Sequence, residues 1–178
     1  EFLRITLEPY RQRFGDEFGR TVRAAFTDEP HLRPAGRVHW TPRLPELFEQ
    51  RYGYNLLDSL PSLFADTGDF HKVRFDYFQL LLDLFIDRWA KPYSEACAKN
   101  NLAFTGHYWE HEWPNGFSAP DNMAMYAWHQ MPAIDCLMNQ YNEGVHAQFG
   151  NVRAVKELGS IGNQMGRQRR LCEVYGAG

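Results

Sequence analysis

The chain has 178 residues, of which 44% are hydrophobic and 23% are charged, as in an ordinary globular domain and unlike a disordered segment. Its net charge of −3 gives no reason to expect nucleic acid or an anionic membrane surface as a partner. The three cysteines lack CxxC spacing, and no apolar run approaches the ~18 residues of a membrane-spanning helix. Composition therefore argues against a disulfide framework, a zinc ribbon and a transmembrane protein.

Helical patterns alternate with short apolar runs along the chain. Apolar residues at three- and four-residue spacing predict helices at residues 3–18, 44–55, 70–99, 121–130 and 151–165. Short apolar runs predict buried strands near residues 23–28, 102–109, 133–138 and 169–175. Asp69 is expected to cap the start of the third helix, and Pro92 to kink it or end its first segment. Pro132 is expected to stop the helix before it.

This alternation predicts an α/β fold built on a parallel sheet. No glycine-rich phosphate loop follows any of the predicted strands, so a barrel-like topology is favoured over a doubly wound one. Four strands are about half of an eight-stranded (β/α) barrel, whose usual length is ~250 residues. We therefore predict a single domain over residues 1–178 that forms a (β/α)-barrel-like sheet, about half of a TIM barrel.

Acidic residues follow or end three of the predicted strands. Asp28 and Glu29 come after the first strand, Glu110 and Glu112 after the second, and Glu173 near the end of the last. The carboxyl ends of parallel strands meet at one edge, which is where barrel enzymes carry their sites. Glycoside hydrolysis needs two carboxyl groups across the scissile bond. Any one of these acids could instead be a solvated loop residue. That alternative loses support because three predicted strands are each followed or ended by an acidic residue.

Aromatic residues make up 15% of the chain and concentrate next to these acids, in the segment FTGHYWEHEW at residues 104–113. Tyr108, Trp109 and Trp113 predict an aromatic wall that could stack on sugar rings. Such a wall would also desolvate a neighbouring carboxyl group and raise its pKa. A plain core role is the competing interpretation of the same residues.

Within this segment, HYWEH matches the H-x-x-E-H pattern of one class of zinc peptidases. That chemistry requires His107 and His111 on one face of a helix. The strand-like LAFTG before the pattern and Pro114-Asn115-Gly116 after it favour a strand end instead. We therefore predict no metal-ligand role for the histidines.

Four stretches, FTDEP (26–30), RYGYNLLDSLPSLF (51–64), GHYWEHEW (106–113) and CEVYGAG (172–178), resemble glycoside hydrolase family 106, the α-L-rhamnosidase type, and its relatives. The resemblance implies a (β/α)8 catalytic barrel and exo-acting, inverting hydrolysis of polysaccharide side chains. It implies that Glu110 is the first candidate for the general acid, with Glu112 second. It also implies that Glu173 is the general base.

The same resemblance implies carbohydrate contacts. The compartment stays open, and the periplasm or the outside of the cell would suit a parent enzyme of this type. Asp28 and Glu29 would hold the substrate or a cation at the rim, and His107 and Trp109 would contact sugar hydroxyls and a ring face. The remaining contact candidates are aromatic or imidazole side chains, Tyr108, His111, Trp113 and Tyr175. No cofactor is required, although calcium assists at the sugar in some members.

Gly178 follows Glu173 closely, so we expect a fragment of a larger enzyme, weakly active or inactive alone. Half a barrel leaves open sheet edges, which predicts a homodimer that closes the sheet. Two other functions fit the residues. One is a zinc-dependent hydrolase that uses His107 and His111, and the other is a non-catalytic carbohydrate-binding module that uses the aromatic wall.

Overall fold

A computed structural model describes residues 1–33, 38–110, 116–138 and 150–177. Its strands are β1 (Ala24–Thr27), β2 (Ala103–Gly106), β3 (Met131–Met138) and β4 (Leu171–Ala177). Its helices are α1 (Phe2–Ile5), α2 (Leu7–Phe14), α3 (Leu44–Tyr52), α4 (Leu60–Phe64), α5 (Phe70–Phe85), α6 (Lys91–Lys99), α7 (Asn122–Tyr126) and α8 (Gly150–Gln164). None of these helices is both long enough and apolar enough to cross a membrane.

The four strands form one parallel sheet in the order β1-β2-β3-β4. Each strand therefore lies beside the next one in the chain, as in a (β/α) barrel, whereas a doubly wound sheet reverses its order at a switch point. The predicted barrel-like parallel sheet is confirmed. In the last pair, Asp135 is the register partner of Glu173, so these two residues lie side by side within β3 and β4.

Helices cover one face of the sheet because alternate strand residues are apolar on that side. Phe104 of β2 packs against Tyr93 and Cys97 of α6. Ile134 of β3 packs against α8, through Ala154 and Leu158. Side chains alternate along a strand, so the odd-numbered neighbours in β2 and β3 point to the other face, towards the barrel interior. That face carries the ionisable residues.

The long predicted helix is split near Pro92, as expected. The Asp69 side chain accepts a hydrogen bond from the Lys72 amide and starts α5. A π-helical turn at Ile86–Ala90 separates α5 from α6, and Pro92 lies in the first turn of α6. Proline lacks an N–H, and its ring crowds the carbonyl four residues earlier. The helical hydrogen bonds before Pro92 therefore change from the α to the wider π pattern. Asn101, with φ 57°, follows the helix end.

Other boundaries differ from the sequence predictions. The first helix is interrupted at Thr6, and α4 was not predicted. The helix predicted at 121–130 covers only Asn122–Tyr126, capped by the Asp121 side chain. The prediction that Pro132 stops this helix is wrong, because Pro132 is the second residue of β3, opposite Gly106. The strand predicted at 102–109 ends at Gly106, and the chain then leaves the sheet.

Gly106 is where β1 and β2 approach most tightly. Its φ is +125°, and a Cβ there would overlap the carbonyl oxygen of Thr27. The backbone of the next residue, His107, donates to that same oxygen at 3.2 Å. Only glycine satisfies both the backbone angle and the space. This residue therefore directs the end of β2 across the end of β1.

We predict that Gly106→Ala destabilises the fold by roughly 3–5 kcal/mol, because a side chain forces the two strands apart. Gly159→Ala is the matched control. It lies in α8 with open space around its Cβ, and alanine should add about 0.5–1 kcal/mol of stability. Urea unfolding of both variants measures the difference. Equal stabilities for the two variants would contradict the close approach at Gly106.

Candidate active site

A buried imidazole lies at the carboxyl ends of the strands. His107 follows β2 and is 1% exposed. Its Nε2 atom is 2.8 Å from Oε2 of Glu173, the third residue of β4, and 3.7 Å from Oδ1 of Asp28 after β1. Carboxyl groups of Glu29 and Asp135 also offer oxygens within 4.8 Å of its ring nitrogens and of each other. Three other strands thus contribute acids to one histidine.

The charge on His107 follows from these neighbours. Burial by itself lowers the pKa of the imidazole. The hydrogen bond to Glu173 and the negative charges of Glu110 and Asp135 outweigh burial, and the pKa of His107 is raised above its ordinary value. A protonated His107 is a donor to the Glu173 carboxylate and partly offsets the repulsion among the acids.

Glu29 is held at the site in a constrained backbone conformation. Its φ of 44° lies in the left-handed region, which is uncommon for residues other than glycine and costs on the order of 1 kcal/mol or more. Its carbonyl oxygen accepts a hydrogen bond from the Trp109 indole at 3.3 Å. The half-buried Glu29 carboxyl lies beside His107 and Asp135. Strain of this kind clusters at functional sites.

The predicted aromatic wall is only partly correct. Trp109 is half-buried, with the Arg33 guanidinium 4.6 Å from its ring centre and the His31 ring edge-on at 5.9 Å. It therefore packs against the loop after β1. Tyr108 is fully buried, and its hydroxyl lies 3.0 Å from His129 Nε2. The prediction that Tyr108 lines a sugar-stacking wall is wrong, because its ring belongs to the core.

Glu110 is also buried, with 2% of its surface exposed. Its Oε1 accepts from the Asp135 amide at 2.5 Å and its Oε2 from the Tyr126 hydroxyl at 2.9 Å. Its backbone carbonyl accepts from the Arg153 guanidinium. Burial raises the pKa of the Glu110 carboxyl, and the Asp135 amide, His107 and Tyr126 each partly counter this. Glu110 is therefore enclosed by protein donors.

The acids around His107 are suitable ligands for a cation, but the histidine among them is not. Two groups of three donors lie within 4.8 Å, Asp28 with His107 and Glu173, and Glu29 with His107 and Asp135. Calcium takes oxygen ligands, which the four carboxyl groups supply. The imidazole is a poor calcium ligand and its Nε2 is hydrogen-bonded to Glu173. Calcium at this position would be held by the carboxylates.

Several predicted site residues lie outside the described part of the chain. His111, Glu112 and Trp113 fall between residues 110 and 116, and the Tyr175 side chain is likewise not described. The zinc-peptidase geometry lacks its helix over the part of HYWEH that is described, because residues 107–109 are irregular. His107 is engaged with Glu173 instead.

Three residues of the site were not predicted. Asp135 lies inside the apolar run AIDCLM, and an acid in the middle of a buried strand is a signal that sequence inspection could have used. Tyr126 and Arg153 lie on helices and carried no distinguishing pattern. They join the site only through contacts with Glu110 that span 16 and 43 residues along the chain.

The chain is similar to known glycosidases. The family model described as alpha-L-rhamnosidase, glycoside hydrolase family 106, matches residues 1–176. A solved rhamnosidase from Novosphingobium sp. PP1Y superposes with a TM-score of 0.71 at 23% identity, over 97% of this chain and 16% of that chain. A protein of Formosa agariphila, provisionally named a beta-glucuronidase, is 27% identical over 108 residues, 58% of this chain and 9% of its own length. The chain thus spans less than a fifth of either relative.

His129, beneath the site, should make stability depend on pH. Burial, helped by the positive charges of Arg167 and His107, lowers its pKa from 6.5 to about 3. Between these values the unfolded chain binds a proton that the folded chain does not, so stability falls as pH drops from about 6.5 towards 3. The slope from this one group is about 1.4 kcal/mol per pH unit.

We predict that His129→Gln flattens this part of the stability curve, measured by urea unfolding at pH 7, 6 and 5. His31→Gln, at an exposed position, is the matched control. Identical slopes for wild type and His129→Gln would show that His129 does not remain neutral in the folded protein.

Proposed function

Because the chain belongs to glycoside hydrolase family 106, the α-L-rhamnosidase family, we propose that it carries the acid and the base of an enzyme that cleaves α-L-rhamnosides. The observation that carries this proposal is the set of four carboxyl groups around the buried His107, two from the loop after β1 and one each from β3 and β4. Paired carboxyl groups at strand ends are what glycoside hydrolysis requires.

Glu173 is the proposed general base. It is half-buried, and its Oε2 lies 2.8 Å from Nε2 of His107. The hydrogen bond to Glu173 is one of the causes that raise the pKa of His107, so the two side chains interact directly. An ionised carboxylate can take a proton from the attacking water. This assignment agrees with the role that the sequence resemblance implies for Glu173.

For the general acid, the geometry favours Glu29 over Glu110. A general acid must bring its proton to the glycosidic oxygen. Both carboxyl oxygens of Glu110 are occupied by protein donors and its side chain is buried. Glu29 is half-buried, lies beside His107 and Asp135, and its strained backbone holds the residue at the strand end. We therefore propose Glu29 as the acid, with Glu110, the first candidate from sequence, as its competitor.

Calcium fits this proposal as a substrate-binding ion. When bound, it would supply a positive charge for sugar hydroxyl oxygens. Asp28 and Asp135, the carboxylates that are neither the proposed acid nor the proposed base, are the groups of the cluster that would hold it. Trp109, half-exposed beside Glu29, is the proposed contact for a sugar ring face.

Leaving-group dependence tests the two acids in the protein that carries this chain. Glu29→Gln should lower kcat by roughly 10²–10⁴-fold on a rhamnoside with a poor leaving group, and much less on a dinitrophenyl rhamnoside, which departs without a proton. Glu173→Gln should lower kcat by a similar factor on both substrates, because the base acts on water in each. An aryl glucuronide in the same panel tests the substrate class suggested by the Formosa agariphila relative's name.

Glu95→Gln, an exposed position on α6, is the matched control and should leave kcat unchanged. Two results would contradict the proposal. One is full activity of Glu173→Gln on both rhamnosides, and the other is the leaving-group pattern appearing in Glu110→Gln and not in Glu29→Gln.

We also propose that two copies of this chain associate through their sheet edges. Across the described residues, no strand pairs with the outer edge of β1 or of β4. Phe26 and Val174 on these two strands are 44% and 42% exposed. Exposed edges with apolar side chains favour strand addition. Light scattering of the 178-residue chain at micromolar concentration should give the mass of a dimer. The mass of a monomer would contradict this proposal.

A further inference from the structure

We propose that Glu110 is a positioning residue, a buried carboxylate that anchors the carboxyl end of β3 and thereby places Asp135 and Glu173 for the reaction. This inference rests on the proposed function, in which Glu173 is the base. Its basis is what Glu110 does to the backbone of the neighbouring strand.

The anchor replaces a missing part of the β2–β3 ladder. The two strands pair at Thr105 with Met131 and at Gly106 with Pro132, and then β2 ends. Beyond that point no strand of the described residues continues along this edge of β3, and a buried amide without an acceptor is costly. The Glu110 Oε1 atom accepts from the Asp135 amide at 2.5 Å and supplies that acceptor.

The anchored residue is coupled to the proposed base. Asp135 is the register partner of Glu173, and register partners on parallel strands lie about 4.8 Å apart. A shift of the β3 end at Asp135 therefore moves the strand that carries Glu173. It also moves the Asp135 carboxyl, which lies beside His107 and Glu29. Glu110 thus acts on the acids through the backbone and not through the substrate.

Two further residues fix Glu110 itself. The Tyr126 hydroxyl donates to Oε2 at 2.9 Å, and its oxygen accepts from the Tyr108 amide at 3.4 Å. Arg153 in the first turn of α8 donates to the Glu110 carbonyl and pairs with Glu157 at 2.5 Å. Charge-assisted hydrogen bonds of this kind are stronger than neutral ones. The carboxylate thus takes donors from α7 and β3, and the backbone carbonyl of the same residue takes one from α8.

Three variants of the protein that carries this chain separate positioning from proton donation. Glu110→Gln keeps the shape and can still accept from the Asp135 amide, so kcat should fall at most about tenfold. Glu110→Ala removes the acceptor of both the Asp135 amide and the Tyr126 hydroxyl, so kcat should fall about 100-fold or more, with KM changed less than about threefold. In each variant the loss should be equal on the poor-leaving-group and dinitrophenyl rhamnosides, because no proton donor is removed.

Tyr126→Phe should lower kcat by about three- to thirtyfold, again equally on both substrates. Tyr77→Phe is its matched control, since that buried hydroxyl donates to the His39 carbonyl far from the acids. It should leave kcat unchanged. If kcat fell as much in Tyr77→Phe as in Tyr126→Phe, the anchoring role of Glu110 would be contradicted, because general destabilisation would then explain both losses.

An activity-independent measurement completes the test. In Glu110→Ala, the Asp135 amide should exchange its hydrogen at least tenfold faster than in wild type, while it is protected in Glu110→Gln. An unchanged exchange rate of the Asp135 amide in Glu110→Ala would contradict the anchoring role of Glu110. A thousandfold loss for Glu110→Gln only on the poor leaving group would also overturn it and make Glu110 the acid. Absence of cleavage by the wild-type protein would reject the proposed function instead, while the exchange result would still report on the anchor.

Discussion

The site depends on one partly buried hydrogen bond, between Nε2 of His107 and Oε2 of Glu173 at 2.8 Å. Carboxylates gathered at strand ends repel one another, and two like charges 4 Å apart cost about 4 kcal/mol at the effective dielectric constant of a protein surface. The imidazole lies among them, and their charges raise its pKa, which favours the compensating positive charge. Gly106 makes this possible, because only glycine lets β2 end tightly enough against Thr27 to bring His107 into the interior.

The end of β2 also explains why two glutamates near one another have different environments. Past Gly106 the chain leaves the sheet and no longer alternates between two faces. Glu110 turns inward and satisfies a β3 amide that has lost its ladder partner, whereas Glu29 remains beside the cluster at the end of β1. A buried carboxylate with every oxygen engaged stabilises a strand end more readily than it donates a proton to a ligand.

Sequence patterns predicted the fold where local chemistry is strong. Asp69 capped α5 and Pro92 divided it from α6, because capping and the missing proline N–H act within one turn. The four apolar runs became the four parallel strands. Pro132 was misjudged, since proline is also tolerated near the start of a strand and only the pairing with β2 reveals which role it has. Tyr108 was misjudged for a similar reason, because an aromatic side chain suits a core as well as a sugar-binding surface.

By itself the sequence determined the alternation of strands and helices, the acids at the strand ends and the resemblance to a rhamnosidase family. These features are encoded by periodicity and by short contiguous motifs. Only the tertiary structure decided which acids gather around His107 and which one is enclosed by donors. The physical reason is that the donors to Glu110 come from Tyr126, Asp135 and Arg153, which lie 16, 25 and 43 residues away along the chain. No local pattern specifies where a side chain points once its strand has ended.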